Sequence, residues 1–178
     1  MEERILMNKS SLKWHSECKK YTVYISEPCL FKMAEMAQEH YPNEVGTPLV
    51  GCYSDDGFEA SVLDLAPLSP DSKGQRTSFY RGTVGLRRFF TKLRQTFSGK
   101  RHYVGEWHSH PDGTPTPSGT DDRNQLDITM DTKTNCPECI LIIVGGPNFN
   151  EMGVFVYSRK QGKIILSLVQ NEEHKHKL

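Results

Sequence analysis

No apolar run in this chain approaches the 18 or so residues that a helix needs to span a bilayer, and the opening Met1-Glu2-Glu3-Arg4 lacks a signal-peptide pattern. Neither sign of charge is in excess: 22 Lys and Arg stand against 22 Asp and Glu, so nothing in the balance points to nucleic acid or an anionic membrane surface. Cysteine is sparse and odd in number, with five residues at 18, 29, 52, 136 and 139. That gives no disulfide framework and fits a reducing compartment. Internal repeats and linkers are also missing. These absences predict a cytoplasmic protein with one domain, for which 178 residues are enough to bury a core. No oligomeric state is written in the chain, and a monomer is the simpler expectation.

The pattern that is present is mixed. Residues 1–20 are polar and weakly patterned around Trp14, which predicts a loosely attached arm. Tyr21 to Ser26 alternates as a strand does. Leu30, Met33, Ala34 and Ala37 recur at helical spacing between Pro28 and Pro42, predicting a helix over Cys29 to His40. Leu49 to Tyr53 and Glu59 to Leu65 flank an Asp-Gly turn and predict a hairpin. Leu68 to Tyr80 is polar, with Pro70 and Gly74, and predicts a surface loop. Thr83 to Phe97 carries apolar residues at helical spacing with Arg87, Arg88, Lys92 and Arg94 between them, a solvated basic face over a buried stripe. His102 to His108 predicts a strand and Gly119 to Met130 a helix, and Ile140 to Val144, Met152 to Tyr157 and Lys163 to Val169 predict three more strands. The expected fold is a single mixed α/β (α+β) sheet sandwiched by helices over residues 21–170, with a charged tail at 171–178.

The stretch Gly105 to Asp122 holds the strongest chemical signal. His108 and His110 are two apart, so on a strand both imidazoles leave the same face, and Asp121 returns eleven residues later after a Pro- and Gly-rich turn. Two nitrogens and one oxygen form a catalytic zinc set, because three protein ligands leave a fourth tetrahedral position for water. Ser118 and Asp121 also have the spacing of a helix capping box, and the cap and ligand roles are compatible. His-x-His-Pro, seven residues, then Ser-x-x-Asp resembles the signature of the JAMM zinc metalloproteases of the JAB/MPN family. Asn43-Glu44-Val45-Gly46 resembles the upstream glutamate segment of that family.

The resemblance spans residues 20 to 170 and implies the family's cytidine deaminase-like architecture. It also implies Zn2+ held by His108, His110 and Asp121, Glu44 as general acid/base, and Ser118 as an oxyanion stabiliser. The Gly-Glu-Trp-His-Ser-His-Pro wording is similar to bacterial stand-alone JAB peptidases of mobile elements and CBASS anti-phage operons. The implied substrate is the C-terminal tail of a ubiquitin-like or cGAS-like nucleotidyltransferase protein conjugated to a target. Processing of sulfur-carrier or other ubiquitin-like precursors would use the same five residues. Pro48 departs from an ideal strand and implies an edge or bulged position.

Four readings compete. Glu106, on the same strand face as His108, is a rival base or a partner of a ligand. Cys136 and Cys139 have the spacing of half a second zinc site, although no second pair exists and two reduced loop cysteines are the plainer reading. His15-Ser16-Glu17 with Cys136 to Cys139 imitates the two halves of a zinc nucleobase deaminase, but Asn135 stands where its proline belongs. A metal-free scaffold of the same family would lack the ligands that this chain keeps.

Overall fold

Residues 11–169 are described by the computed structural model, and their apolar residues sort by period into strands and helices. In chain order these are β1 (Ser11–Ser16), β2 (Thr22–Ser26), α1 (Glu27–His40), β3 (Gly46–Tyr53), β4 (Glu59–Leu65), β5 (Lys73–Gln75), β6 (Ser78–Tyr80), α2 (Leu86–Thr96), β7 (His102–Ser109), α3 (Gly119–Met130), β8 (Glu138–Gly145), β9 (Glu151–Ser158) and β10 (Gly162–Leu168). Strands dominate a mixed α+β fold. No helix of the described residues is long and apolar enough to cross a membrane.

Strand β8 shows how the layers arise. Ile140, Ile142 and Val144 enter the main core, while Leu141 and Ile143 join Phe155 and Tyr157 in a second cluster on the other face. A strand covered on both faces reads as an unbroken apolar run, and β8 pairs in parallel with β7, which α3 connects to it. On the main-core side, α1 contributes Cys29, Met33 and Ala37 at four-residue steps, packed with Ile25, Val62 and Trp107. On the outer side, α2 packs Leu86, Phe89, Phe90 and Leu93 over Val50 and Ala66. Its arginines stay exposed, as the basic amphipathic pattern predicts.

The sheet differs from the expected layer sandwiched by helices. Its order is β1-β10-β9-β8-β7-β3-β4-β2, and β2 pairs back onto β1, closing an eight-stranded barrel. The closing strand comes from the segment expected to be a loose arm: Trp14 lies opposite Val23 of β2 on one side and Leu168 of β10 on the other, and it is buried. Closure satisfies both edges that an open sheet would leave bare. Curvature comes from irregular register in β3, between Val50 and Gly51 against β4 and between Leu49 and Val50 against β7. Pro48 lies just outside the β4 ladder, whose register starts at Leu49↔Leu65, so its missing N–H leaves no gap there. The region expected to be a loop over Leu68 to Tyr80 contains a small separate hairpin, β5–β6. The expected tail at 171–178 and the first ten residues of the expected arm lie outside the described residues.

The start of β3 lies opposite the end of β7, with Gly46 across from His108. The start of α3 returns to the same end of the barrel.

A candidate metal centre

His108 is the penultimate residue of β7, and His110 follows just past its end, where the His110 N–H still donates to Val144 O of β8 at 2.8 Å. Both side chains leave the same face, as the two-residue period dictates. Their Nε2 atoms are 3.0 Å apart. Asp121 sits in the first turn of α3, where Ser118 caps the helix: the Ser118 Oγ accepts the Asp121 N–H at 3.2 Å and the Ser118 N–H donates to Asp121 Oδ2 at 2.7 Å. This reciprocal box turns the carboxylate toward β7. Oδ1 then lies 3.5 Å from His108 Nε2, and Oδ2 lies 3.5 Å from His110 Nε2.

Among the described residues, these three are the one group of three or more His, Cys, Asp or Glu side chains whose ligand atoms converge, all within 4.8 Å of one another. The donor chemistry fits a divalent cation such as zinc. His110 Nδ1–H donates to Thr114 O at 3.0 Å, which leaves Nε2 as a lone pair facing the carboxylate. The electrostatics agree. Burial opposes ionisation of Asp121, but hydrogen bonds from His108 and His110 outweigh it and hold the carboxyl well below the usual carboxylate range. Burial pulls the His110 imidazole down, and Asp121 and Thr114 O more than reverse this. Both directions express the mutual attraction of the carboxylate and the imidazoles.

Glu44 is buried on the loop between α1 and β3. Burial pushes its carboxyl up to about 7, with His110 pulling it down and Asp121 pushing it up further. Its backbone is held from two directions. The Glu44 N–H donates to Gln75 O of β5 at 2.8 Å, and the next residue is locked to the histidine strand, where Ser109 N–H donates to Val45 O at 2.8 Å and Val45 N–H donates to Ser109 Oγ at 3.0 Å. Ser109 was not singled out from the sequence. The signal was available: a residue between two histidines on a strand must face away from both, and a hydroxyl there needs a partner.

A cavity of about 400 Å3 opens beside His108 and Asp121. Phe79, Tyr80 and Arg81 line one side, and Asn124, Gln125 and Ile128 of α3 line the other. Glu106 lies on its floor. There its Oε1 accepts from Tyr103 OH at 2.9 Å and from Arg81 Nε at 3.1 Å. Burial pushes the Glu106 carboxyl up to about 7, with Arg81 and then Tyr103 opposing. The expected rival base is thus engaged with two donors of its own.

Cys136 and Cys139 are both reduced and buried, Cys136 in the loop before β8 as expected and Cys139 within the start of β8. Gln125 Nε2 donates to Cys139 Sγ at 3.0 Å, and Tyr53 OH lies 3.4 Å from Cys136 Sγ. No third metal-type ligand converges on them among the described residues. His15 lies on β1 with Nδ1 bonded to Ser16 O, so the two halves of the deaminase imitation are not brought together.

Residues 26–159 match the family of prokaryotic homologues of the JAB domain. A protein of Enterobacter hormaechei subsp. hoffmannii (strain UCI 50) described as a CD-NTase/cGAS isopeptidase is 36% identical over 140 residues, covering 79% of this chain and 76% of that one. A protein of Escherichia coli (strain TW11681) with the same description is 26% identical over 140 residues, covering 78% and 85%. Among solved structures, a Desulfitobacterium hafniense protein superposes with a TM-score of 0.54 at 20% identity, covering 86% of this chain and 98% of that one. A Salinibacter ruber (strain DSM 13855) protein superposes with a TM-score of 0.53 at 21% identity, covering 84% and 92%. These two likenesses concern the fold.

Proposed function

The chain belongs to the prokaryotic homologues of the JAB domain, and from that premise we propose that it is a zinc isopeptidase that releases a nucleotidyltransferase-like or ubiquitin-like C-terminus from a conjugated protein. The relatives described as CD-NTase/cGAS isopeptidases support the substrate class. The observation that carries the chemistry is the convergence of His108 Nε2, His110 Nε2 and the Asp121 carboxylate at one end of an open cavity. Buried Glu44 is electrostatically coupled to both His110 and Asp121.

When bound, zinc supplies Lewis acidity that polarises a carbonyl and makes water a stronger acid. His108, His110 and Asp121 would hold it. Glu44 then acts as the general base. It takes a proton from the water that attacks the carbonyl carbon joining the terminal residue to a lysine, and passes it to the leaving amine as the C–N bond breaks. Glu44 is suited to this because burial poises its carboxyl near neutrality. Ser118 uses its Oγ lone pair on the Asp121 N–H, so its hydroxyl proton is available to the oxyanion. The substrate tail enters extended along the cavity that Phe79, Tyr80 and Arg81 line, because both sides of the Glu44 segment are already bonded, to Gln75 O and to Ser109, and the β5–β6 region and the turn from Asp112 to Pro117 flank it. Such an enzyme supports a role in CBASS anti-phage defence.

The test is a fusion in which the C-terminus of a CD-NTase from the relatives' class precedes a reporter, with product masses measured. Chelator-sensitive release at that single junction is expected. His108→Ala should lose the metal, whereas Glu44→Gln should keep it and lose turnover by about 10²- to 10⁴-fold. Cleavage of unrelated unfolded proteins at many sites would instead show a general metalloprotease.

A further inference from the structure

One wall of the cavity is not part of the barrel. β5–β6 is a separate two-stranded sheet, and Phe79, Tyr80 and Arg81 line the cavity from its end. A two-stranded hairpin is marginal on its own, so its position depends on what ties it down. At the turn, Gln75 O of β5 accepts the Glu44 N–H at 2.8 Å, and Arg76 pairs with Asp112 at 3.2 Å, a pair more than half exposed on both sides that contributes little. At the cavity end the tie is different. Arg81 Nε reaches Glu106 Oε1 on β7, with the carboxylate 11% and the arginine side chain 32% exposed. Tyr103 OH donates to the same oxygen, and the Tyr103 ring meets the edge of Phe90 from α2. An ion pair taken out of water gains little stability over an apolar pair of the same size. What charge adds here is direction: Arg81 Nε and Tyr103 OH converge on one carboxylate oxygen, and Arg81 Nη1 donates to Gly82 O, which together set the guanidinium plane.

We propose that Arg81 and Glu106 form a clasp that fixes β6 as the wall of the substrate groove, so that both are positioning residues for capture of the extended tail and neither moves a proton in the reaction. This rests on the reading of the cavity as the tail site. It also gives Glu106 a role distinct from that of Glu44: the Glu106 carboxylate is engaged by Arg81 beside β6, whereas the Glu44 carboxylate faces His110 and Asp121.

The experiment compares wild type with Glu106→Gln, which keeps the side-chain volume, and with Arg81→Met, which keeps the stem and removes the fork. Two substrates are used, a fusion carrying the full tail and a short amide that spans only the scissile junction. On the long substrate KM should rise about tenfold, because a wall in place only a fraction of the time lowers apparent affinity by that fraction, while kcat stays within a few-fold. The short substrate should show no such change. Metal content should be unchanged, and amide exchange over residues 73–80 should accelerate in both variants. An equal loss of kcat on both substrates would place Glu106 in the chemistry and overturn the clasp. Unchanged exchange over residues 73–80 would overturn it independently of any substrate, so failure of the isopeptidase reading and failure of the clasp are told apart.

Discussion

Ser109 links the two halves of the candidate site with one side chain. His108 and His110 turn their rings toward Asp121, and the residue between them, wholly buried, accepts the Val45 N–H next to Glu44. Its hydroxyl stands where a ladder carbonyl would otherwise serve, so the Glu44 loop and the histidine strand are joined by two hydrogen bonds at this point. Ser109→Ala would leave the Val45 N–H buried without an acceptor, a loss of about 1–3 kcal/mol. The expected outcome is a lower kcat with metal content near wild type, partial recovery in Ser109→Thr, and faster amide exchange at Val45. Wild-type kcat in Ser109→Ala would show that the loop before β3 is held by other contacts.

At the scale of elements, α3 is both the crossover between two parallel strands and the carrier of Asp121. Its first turn is set by the capping box, and its far side is fastened by Tyr157 OH and Lys163 Nζ, which both bond Asp122. Gln125, buried at the middle of the helix, reaches Cys139 Sγ and Ile140 O of β8. The helix is therefore a rigid mount for one carboxylate. Ser118→Ala removes the cap and is expected to cost about 0.5–2 kcal/mol of stability. Because the Asp121 N–H then loses its acceptor and the first turn of α3 frays, metal affinity should also fall, but only by a few-fold, since the Ser118 N–H that holds Asp121 Oδ2 is kept. Thermal melts and competitive metal titration measure the two losses separately. A normal metal affinity in a destabilised variant would show that the Ser118 N–H and α3 packing together suffice to aim Asp121.

At the scale of the whole molecule, the site depends on closure of the sheet. β3 and β7 are neighbours, and the start of one faces the end of the other; a barrel without free edges holds that register against slippage. Closure runs through Trp14, which is 5% exposed between β2 and β10. Trp14→Ala is expected to cost about 3–5 kcal/mol, the usual range for emptying a buried tryptophan site. Chemical denaturation measures it, and a loss under about 1 kcal/mol would mean that β1 is an ornament on an already closed core.

What the sequence determined by itself is what depends on neighbours a few residues apart. The two-residue step places both histidines on one strand face, the three-residue step from Ser118 to Asp121 builds a cap, and the four-residue steps of α1 choose its buried stripe. Each is a property of local geometry, so each was legible before any fold. β1 escaped because only Trp14 and Ser16 of its six residues are buried, too few to make an alternating pattern, and its strand character comes from partners at residues 22–26 and 166–168. The β5–β6 hairpin escaped because three-residue strands of exposed and half-exposed residues carry no period at all. Only the tertiary structure decided that Glu44 meets the histidines through Val45 and Ser109, and that Glu106 answers to Arg81. Those contacts join segments 64 and 25 positions apart, and nothing in the spacing of residues along a chain specifies which distant segment a closing sheet will bring alongside.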